Sequence, residues 1–582
     1  MIDLEKQIAQ HFPELDENNN LFSRQAIKLL KVLTHEDEIN HFIQTHQHLK
    51  GLEFLEAILE YFDFSYSVSN KDRENIPAYG RTIVVANHPI GSLDGLALLK
   101  FVKEIRSDVK IVTNELLYSI EPLREFFIPL DNISKKINYK SAYKQILDFL
   151  EQDGLVIVFP AGEVSRIRPN GVKDGKWQTG FLHFSKKTKS PVVPINIDAK
   201  NSAMFYSIST LFKPFGTAML AHEMFNKNHQ NIHLRVGNLI SHKTLILLDL
   251  SKKKKAKMLR KQVYLLSKKS TKNLFDIEQS IAHPMDKKTL KQELKQANLL
   301  GQTQDGKKIF LLDYEGFPRV MKEIGRLREL SFRMVEEGTG NRIDVDEYDR
   351  YYRHIVLWDE DDLEIVGAYR IGECDKIIRN KGIAGLYSNT LFDIEGAFMP
   401  YIRSSIELGR SFIQPRYWGL RGLDYLWYGI GAYLLANPQY KYMFGPVSLS
   451  NGYPDTAKDL IVNFYQSQFP PKAHLAKAKV PFVPTTKMGH KDDYVANDYK
   501  ENFKQLNAQL NELGVKVPTL YKQYTELCEA GGVEFLDFSI DPEFSNCIDG
   551  LILVDVDKVK PKKRQRYIEA HNKVDAKTIS AA

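Results

Sequence analysis

This sequence has little cysteine and no long apolar run. Its 582 residues include three cysteines, Cys374, Cys528 and Cys547, whose wide spacing gives neither a disulfide framework nor a metal-ligand pattern. No apolar run approaches the ~18 residues that a bilayer-spanning helix needs. The first residues, Met1 to Lys6, lack the apolar core of a signal peptide. We therefore expect a cytoplasmic protein without a bound metal that meets lipid from the membrane surface.

No single kind of residue dominates the composition. Hydrophobic residues make up 43% and charged residues 26%, which is typical of a globular chain rather than a disordered one. The formal net charge of +7 is modest for this length. Because 582 residues are too many for one ordinary hydrophobic core, we expect at least two domains.

A histidine and an aspartate follow the first clear strand pattern. The apolar run from Thr82 to Ala86 predicts a buried strand, and Gly95 to Val102 predicts the start of a helix. His88 and Asp94 lie between them. One imidazole nitrogen can take a proton from an attacking alcohol while a carboxylate holds the other nitrogen as a donor. The pair predicts hydroxyl-to-acyl transfer; a turn merely capped by Asn87 and Asp94 is the alternative.

A second turn carries groups that suit an anion. The apolar run from Leu155 to Phe159 predicts a strand, and a glycine, a carboxylate, a hydroxyl and two arginines follow it. Backbone N–H groups and guanidinium groups that converge on such a turn can hold an anionic part of a substrate. The residues that we predict to bind substrate around the two turns are Asn87, Gly162, Glu163, Ser165, Arg166 and Arg168.

Taken in order, these blocks resemble the glycerol-phosphate and lysophospholipid acyltransferase family, which shows Asn-His-x4-Asp, then Phe-Pro-Glu-Gly-Thr-Arg-Ser, then Val-Pro-Val. The third block is here the strand pattern from Pro191 to Ile197. The resemblance covers about residues 50 to 245 and implies that His88 is a base that Asp94 orients. Five residues separate His88 from Asp94, one more than usual, and Ala161 replaces the usual Glu. This altered pattern is closer to the hemolysin-like and ornithine-lipid branch, and it suggests an acceptor other than a glycerol phosphate.

A second set of charged residues lies on or beside predicted elements after residue 305: Arg328, Asp346, Asp349, Arg370, Glu407 and Arg410. An amine nucleophile must lose a proton, so a carboxylate such as Glu407 or Asp349 can act as the base. An arginine can hold the carboxylate of an amino acid in two-point contact. The alternative is a set of structural ion pairs, in which Asp346 and Asp349 pair with Arg350 or Arg353, and Glu407 pairs with Arg410. His354, at the start of a predicted strand, is expected to be structural.

This order resembles the GNAT fold as used by ornithine-lipid N-acyltransferases and, more distantly, by acyl-homoserine-lactone synthases. Those proteins show Arg on the first helix, paired Asp, Arg at the end of a hairpin strand, then Glu-Leu-Ser-Arg; here Gly409 replaces the Ser. The resemblance covers about residues 305 to 460. All six charged residues match its pattern. We predict Glu407 and Asp349 to be catalytic and the four other charged residues to bind substrate. The loop from Arg416 to Gly422 departs from the usual Gln-x-x-Gly-x-Gly, which favours acyl carrier protein over coenzyme A as acyl donor, with no resident cofactor.

We predict an α/β protein with two acyltransferase domains. A glycerol-phosphate-acyltransferase-like α/β domain is expected at residues 76 to 245 and a GNAT-like α+β domain at residues 306 to 582. Helical patterns, among them 26 to 33 and 52 to 60, predict a helical region over residues 1 to 75.

Residues 246 to 305 are lysine-rich and predict a basic helical linker. Within it, Lys252 to Lys261 and the apolar residues that follow can lie on an anionic leaflet. A solvated helix face is the next interpretation. A nucleic-acid patch comes last, because no aromatic stacking platform accompanies the cations.

The two halves together predict a bifunctional synthase of an aminolipid, the arrangement of bifunctional ornithine-lipid synthases. The C-terminal half would join a 3-hydroxyacyl chain to the α-amine of an amino acid, ornithine before glycine or serine. The N-terminal half would then acylate the 3-hydroxyl group. The expected partners are acyl carrier protein, amino-acid and lyso-lipid substrates, and the inner face of the cytoplasmic membrane. Two alternatives stay open: a lysophospholipid O-acyltransferase with a C-terminal docking or regulatory GNAT-like domain, and a non-enzymatic lipid-binding protein.

Overall fold

The computed structural model describes residues 35–130, 139–168, 171–202, 205–206, 220, 222–225, 230–268, 272–485 and 498–569. The helix predicted at 26 to 33 lies outside these residues. The chain divides into two compact units, Met1–His283 and Pro284–Ala582. Within the described ranges, no helix combines the length and apolarity that crossing a bilayer requires.

The first unit contains a seven-stranded sheet in the order β1-β9-β8-β2-β5-β3-β4, in which every pair is parallel except β8 with β9. Its strands are β1 (Phe64–Val68), β2 (Thr82–Ala86), β3 (Val109–Thr113), β4 (Phe127–Pro129), β5 (Leu155–Val158), β8 (Val192–Asp198) and β9 (Gln230–Val236). A separate hairpin pairs β6 (Arg166–Arg168) with β7 (Gly171–Lys173). The helices are α1 (Glu36–Thr45), α2 (Gly51–Tyr61), α3 (Asn70–Arg73), α4 (Ser92–Lys103), α5 (Glu115–Tyr118), α6 (Tyr139–Glu151), α7 (Gly180–Thr188), α8 (His242–Leu247) and α9 (Lys252–Leu266).

Strand β2 explains where the first predicted site lies. All five of its residues are buried, as expected for a strand with both faces covered. Val84 and Ala86 pack into one hydrophobic cluster, and Ile83 and Val85 pack into another. Because β2 runs parallel to β5 with Val85 opposite Val158, the turns that leave the carboxyl ends of these strands lie side by side.

Helix α9 carries the lysine-rich run. Its Ala256, Leu259 and Val263 are buried in a hydrophobic cluster of the first unit, while Lys252, Lys253 and Lys257 are exposed. The apolar residues of the run therefore contact protein. The domain boundaries drawn from the sequence, including a linker over residues 246 to 305, stay predictions.

The second unit contains an eight-stranded sheet in the order β10-β11-β12-β13-β15-β16-β19-β18, in which every pair is antiparallel except β15 with β16. Its strands are β10 (Asn298–Gln302), β11 (Lys308–Leu312), β12 (Arg353–Asp359), β13 (Glu364–Glu373), β15 (Ser405–Ile413), β16 (Tyr442–Leu449), β18 (Val533–Asp541) and β19 (Cys547–Asp555), and a separate pair joins β14 (Phe392–Ile394) to β17 (Ala476–Ala478). The helices are α10 (Lys287–Leu294), α11 (Pro318–Met334), α12 (Cys374–Lys381), α13 (Ser388–Leu391), α14 (Met399–Ile402), α15 (Gly422–Ala436), α16 (Asp455–Gln468), α17 (Tyr499–Glu512), α18 (Thr519–Thr525) and α19 (Pro561–Tyr567).

Strands β15 and β16 form a fork. Their shared ladder covers Ser405 to Glu407 on one strand and ends at Phe444 on the other, although both strands continue. Glycine is required next to the fork, because a Cβ on Gly445 would lie 2.0 Å from the carbonyl oxygen of Leu408. A register shift in the β13–β15 pairing then places a bulge at Arg410, which has a positive φ of 48°. A β-bulge re-aims a side chain relative to the regular alternation, and here that side chain is Arg410.

Candidate active sites

In the first unit, His88 and Asp94 lie in contact at the carboxyl end of β2. The imidazole Nδ1 is 3.0 Å from Oδ1 of Asp94, the carboxylate is fully buried, and the histidine side chain is 20% exposed. The histidine ring stacks on Phe159, with 4.2 Å between ring centroids. With Nδ1 turned to the carboxylate, Nε2 is the nitrogen that can take a proton from a substrate.

The turn before α4 fixes this carboxylate. The other carboxylate oxygen, Oδ2 of Asp94, accepts hydrogen bonds from the backbone N–H groups of Ile90 at 2.9 Å and Gly91 at 3.3 Å. Gly91 has a φ of 112°, a conformation that residues with a Cβ rarely adopt. The fifth residue between His88 and Asp94 is thus accommodated by a glycine turn, which keeps the carboxylate in reach of the ring.

Two opposing effects set the proton affinity of His88. Burial lowers the pKa of His88, but the nearby charge of Asp94 and, more weakly, that of Asp174 raise it, and the net change is upward. A base must bind a proton well enough to remove it from an alcohol. The pair therefore has the geometry and the electrostatics of a general base with its orienting acid.

A second carboxylate, which the sequence analysis missed, joins the two turns. Asp174 accepts hydrogen bonds from the backbone N–H of His88 at 3.2 Å, from Ser165 Oγ at 2.6 Å and from Trp177 Nε1 at 2.8 Å. Ser165 also donates its backbone N–H to the carbonyl oxygen of His88 at 2.7 Å. The tyrosine Tyr264 of α9 accepts a hydrogen bond from the Asp174 N–H at 2.8 Å. An acid followed three residues later by tryptophan, just after a predicted substrate turn, was the available signal.

Some of the residues predicted to bind substrate are buried, and the others are at least partly exposed. Asn87 is buried, and its side chain exchanges hydrogen bonds with the backbone of Ile197 at 2.9 and 2.8 Å. Ser165 is buried beside His88. The others are partly or fully exposed on the turn and hairpin that follow β5: Gly162, Glu163, Arg166 and Arg168. Of these, Glu163 and Arg166 form an ion pair at 3.5 Å.

In the second unit, arginines and aspartates predicted from the sequence alternate in one buried network. Arg328 donates to Asp349 at 2.8 Å, and Arg370 donates to Asp349 at 3.3 Å and to Asp346 at 2.6 Å. Arg410 contacts Asp346 at 3.3 Å and Asp344 at 3.2 Å. The ion-pair partners are thus Arg328, Arg370 and Arg410, rather than the sequence neighbours Arg350 and Arg353.

The network fixes the protonation states of Asp349 and His354. Burial alone would raise the pKa of Asp349, but the charges of Arg328 and Arg370 hold it far below its usual range. Burial lowers the pKa of His354 to about 4, and Arg328 adds to this effect. Asp349 is therefore a permanent anion between two cations, and His354 is neutral. A carboxylate held so firmly in its charged form is a weak base.

Glu407 lies in a cage of donors. It is buried and accepts hydrogen bonds from the Tyr352 hydroxyl, from the Ser388 N–H at 2.6 Å and from the Tyr387 N–H at 3.2 Å. These contacts connect α13 to β15. Among the described ion pairs, Arg410 contacts Asp344 and Asp346 and not Glu407.

A cavity opens where β15 and β16 separate. Its lining combines residues of both strands, such as Gly409, Arg410 and Ser448, with Tyr387 and Asp549. A Cβ on Gly409 would meet no atom within 4 Å, so the cavity has room at this position. Asp549, on β19, is a site residue that the sequence did not reveal, although an acid just before the apolar run Leu551 to Val554 is a usable signal.

Two family models match the chain. Residues 7–273 match the model described as "Acyltransferase", and residues 327–428 match the "Acetyltransferase (GNAT) domain" model.

The curated relatives agree with these matches. A glycine N(alpha)-acyltransferase of Bacteroides thetaiotaomicron is 32% identical over 305 residues, which cover 50% of this chain and 90% of that protein. A lyso-glycine lipid O-acyltransferase of Phocaeicola vulgatus is 31% identical over 228 residues, 38% of this chain and 80% of that protein. An L-ornithine N(alpha)-acyltransferase of Rhodobacter capsulatus is 26% identical over 232 residues, 39% of this chain and 80% of that protein.

Fold and comparisons together define an enzyme of acyl transfer, with an N-terminal acyltransferase domain and a C-terminal GNAT-type domain. The chain belongs to the families represented by the glycine N(alpha)-acyltransferase and the lyso-glycine lipid O-acyltransferase. Both resemblances drawn from the sequence motifs, and the mixed α/β fold class with two acyltransferase domains, are confirmed.

Proposed function

We propose that this chain synthesises an aminolipid with two acyl chains. The C-terminal unit joins a 3-hydroxyacyl chain to the amine of an amino acid, and the N-terminal unit esterifies the 3-hydroxyl group of that product. One observation carries the proposal: a single chain combines the His88–Asp94 pair at the end of β2 with a forked GNAT-type sheet. Relatives with O-acyl and N-acyl transfer in their names each match part of it.

The O-acylation uses His88 as the base. Its Nε2 takes the proton of the 3-hydroxyl group while the hydroxyl oxygen attacks the carbonyl carbon of an acyl thioester. A C–O bond forms, the C–S bond breaks, and the leaving thiolate takes the proton back from the imidazolium. Asp94 stabilises the imidazolium charge between these steps. Ser165, Arg166 and Arg168 would hold the anionic end of the acceptor.

Glycine is the amino acid that we place first, ahead of the ornithine predicted from the sequence. The support is the higher identity to the glycine N(alpha)-acyltransferase, 32% against 26% for the ornithine enzyme. Arg410 lines the cavity and already contacts Asp344, Asp346 and the Tyr387 hydroxyl. A guanidinium group has five N–H donors, so N–H groups remain for the carboxylate that any amino acid carries. The acyl donor is proposed to be a thioester on acyl carrier protein.

The first unit carries a surface that suits an anionic membrane. Ile246, Leu247 and Leu250 are 46%, 81% and 36% exposed, and the exposed lysines Lys252 and Lys253 follow directly. Apolar side chains next to lysines can insert between headgroups while the cations meet anionic lipid. We call this surface between α8 and α9 the α8–α9 corner. We propose that it binds the enzyme to the inner face of the cytoplasmic membrane.

The test is expression in a bacterial host that lacks aminolipids, with mass spectrometry of the extracted lipids. The unaltered chain should produce a doubly acylated glycine lipid, whose headgroup mass separates it from an ornithine lipid. His88→Ala and Asp94→Asn should each cause the mono-acylated lyso form to accumulate. The matched control is His183→Ala, since His183 is an exposed histidine on α7 and should leave the products unchanged.

One result would contradict the role of His88, and another would contradict the proposed activity of the whole chain. A normal amount of doubly acylated lipid from His88→Ala would remove the catalytic role of this histidine. If the unaltered chain makes no aminolipid but changes the amount of phosphatidic acid, the chain is a phospholipid O-acyltransferase instead.

A further inference from the structure

The cavity at the fork of β15 and β16 contains a carboxylate that no ion pair occupies among its described contacts. Asp549 is 5% exposed and lines the cavity together with Arg410. Its nearest described polar partner is the thiol of Cys547, 3.7 Å from Oδ2. In the sheet it lies opposite Ser448 of β16 and Ser539 of β18. It is therefore held on an interior strand that pairs on both sides, a rigid position for a catalytic group.

We infer that Asp549 is the base that takes the proton from the amine of the amino-acid acceptor, while Arg410 holds the acceptor's carboxylate in the same cavity. This inference rests on the proposed N-acyl transfer and names a residue for its first step.

The charges around Asp549 suit that role. Burial, together with the carboxylates of Asp541 and Glu337, raises the pKa of Asp549 to about 8, and Arg410 opposes the rise. Burial also raises the pKa of Glu337 to about 7, although the Ser448 hydroxyl donates a hydrogen bond to it at 2.9 Å. A general base works best when its pKa lies near the working pH. A carboxylate with a raised pKa is a stronger base than an ordinary aspartate, so it takes a proton from the acceptor's ammonium group at a smaller free-energy cost.

The two acids predicted from the sequence are less suited to this step. Asp349 forms ion pairs with Arg328 and Arg370. The carboxylate oxygens of Glu407 accept hydrogen bonds from Tyr352, Tyr387 and Ser388. Neither is among the described residues that line the cavity. Their contacts support the sheet and α13, whereas Asp549 lines the cavity.

The reaction balances with one acyl thioester as co-reactant. The acceptor's ammonium group gives a proton to the Asp549 carboxylate and becomes a neutral amine. The amine nitrogen attacks the thioester carbonyl carbon, so a C–N bond forms and the C–S bond breaks. The nitrogen loses a second proton, which the leaving thiolate takes to become a thiol. Asp549 then returns its proton to water.

The experiment compares the full chain with Asp549→Asn, using a 3-hydroxyacyl thioester of acyl carrier protein and glycine. Rates of N-acylglycine formation are measured by mass spectrometry from pH 6.5 to 9.5. At pH 7 the variant should be slower by about 100-fold or more, the effect of removing a general base. This deficit should narrow above about pH 8, because the Asp549 carboxylate is then largely formed while the fraction of free amine in solution still rises.

Two controls separate chemistry from folding. Asp393→Asn changes an exposed aspartate, 67% accessible on β14, and should keep the rate. O-acylation of supplied N-(3-hydroxyacyl)glycine by the Asp549→Asn chain should also stay normal.

The inference is overturned if Asp549→Asn is within threefold of the unaltered chain at pH 7, or if its deficit is the same factor at every pH. If the unaltered chain forms no N-acyl amino acid while its O-acylation is intact, both the proposed function and this inference are overturned.

Discussion

Replacing Asp549 by asparagine should stabilise the second unit. The pKa of Asp549 rises from 3.8 to about 8 in the folded chain, so between these values the folded state keeps a proton that the unfolded chain has released. Stability therefore falls as pH rises across this window and is highest, with respect to this group, below the unfolded value. Asparagine does not titrate and removes this dependence.

The size of the effect follows from the two pKa values. One pKa unit corresponds to about 1.4 kcal/mol, and pH 7 lies about three units above the unfolded pKa of 3.8. Ionisation of this carboxyl in the unfolded chain therefore lowers the free energy of unfolding by on the order of 4 kcal/mol at pH 7. At pH 5 this loss is roughly 1 to 2 kcal/mol by the same conversion. Asp549→Asn should therefore be more stable by these amounts, and catalysis and stability oppose each other at this residue.

Differential scanning calorimetry of the full chain measures this. The transition of the second unit should move up by roughly 8 to 16 °C at pH 7, using about 2 to 4 °C per kcal/mol for a domain of this size, and by clearly less at pH 5. The exposed Asp393→Asn is the matched control and should show no pH-dependent shift. A lower melting temperature at pH 7, or a shift equal at both pH values, would refute the reasoning.

At Asp349 the same substitution should destabilise the protein, because Asp349→Asn leaves Arg328 and Arg370 buried without their shared anion. We expect the free energy of unfolding, measured with urea, to fall by about 3 to 5 kcal/mol. An unchanged value would show that this carboxylate does not stabilise the two arginines. At the α8–α9 corner, Leu247→Ser combined with Lys252→Glu and Lys253→Glu should weaken binding to phosphatidylglycerol vesicles by tenfold or more, since each cation contributes about 1 kcal/mol near an anionic surface. Co-sedimentation measures the binding. Leu420→Ser, which alters a leucine 68% exposed in the second unit, is the control, and equal binding by all three proteins would show that the corner does not contact lipid.

Local patterns predicted the first site well because its parts are close in sequence or follow adjacent parallel strands. The strand patterns ending at Ala86 and near Phe159 correspond to β2 and β5, which pair directly. Asp174 was missed because the tryptophan three residues later is a weak signal. The hydrogen bonds that Asp174 accepts from Ser165, Trp177 and the His88 backbone depend on the fold.

In the second unit, the six predicted residues lie in or beside one network, but their partners could not be read from the sequence. Neighbours along the chain suggested Arg350 and Arg353 for the aspartates, whereas the actual partners come from α11, β13 and β15. Such pairs depend on strand order, which local periodicity does not encode. Asp549 belongs to the same class, because β19 reaches the fork only through its pairing with β16.

The strand order of the second sheet has a practical consequence for shortened proteins. The GNAT-type match ends at residue 428, so a fragment cut soon after α15 would keep all six residues predicted from motifs. It would lack β16, β18 and β19, which supply one prong of the fork and Asp549. In such a fragment the edge of β15 that pairs with β16 would be exposed and could pair with strands of other chains. A fragment shortened to the motif region would therefore lose part of the cavity and tend to aggregate.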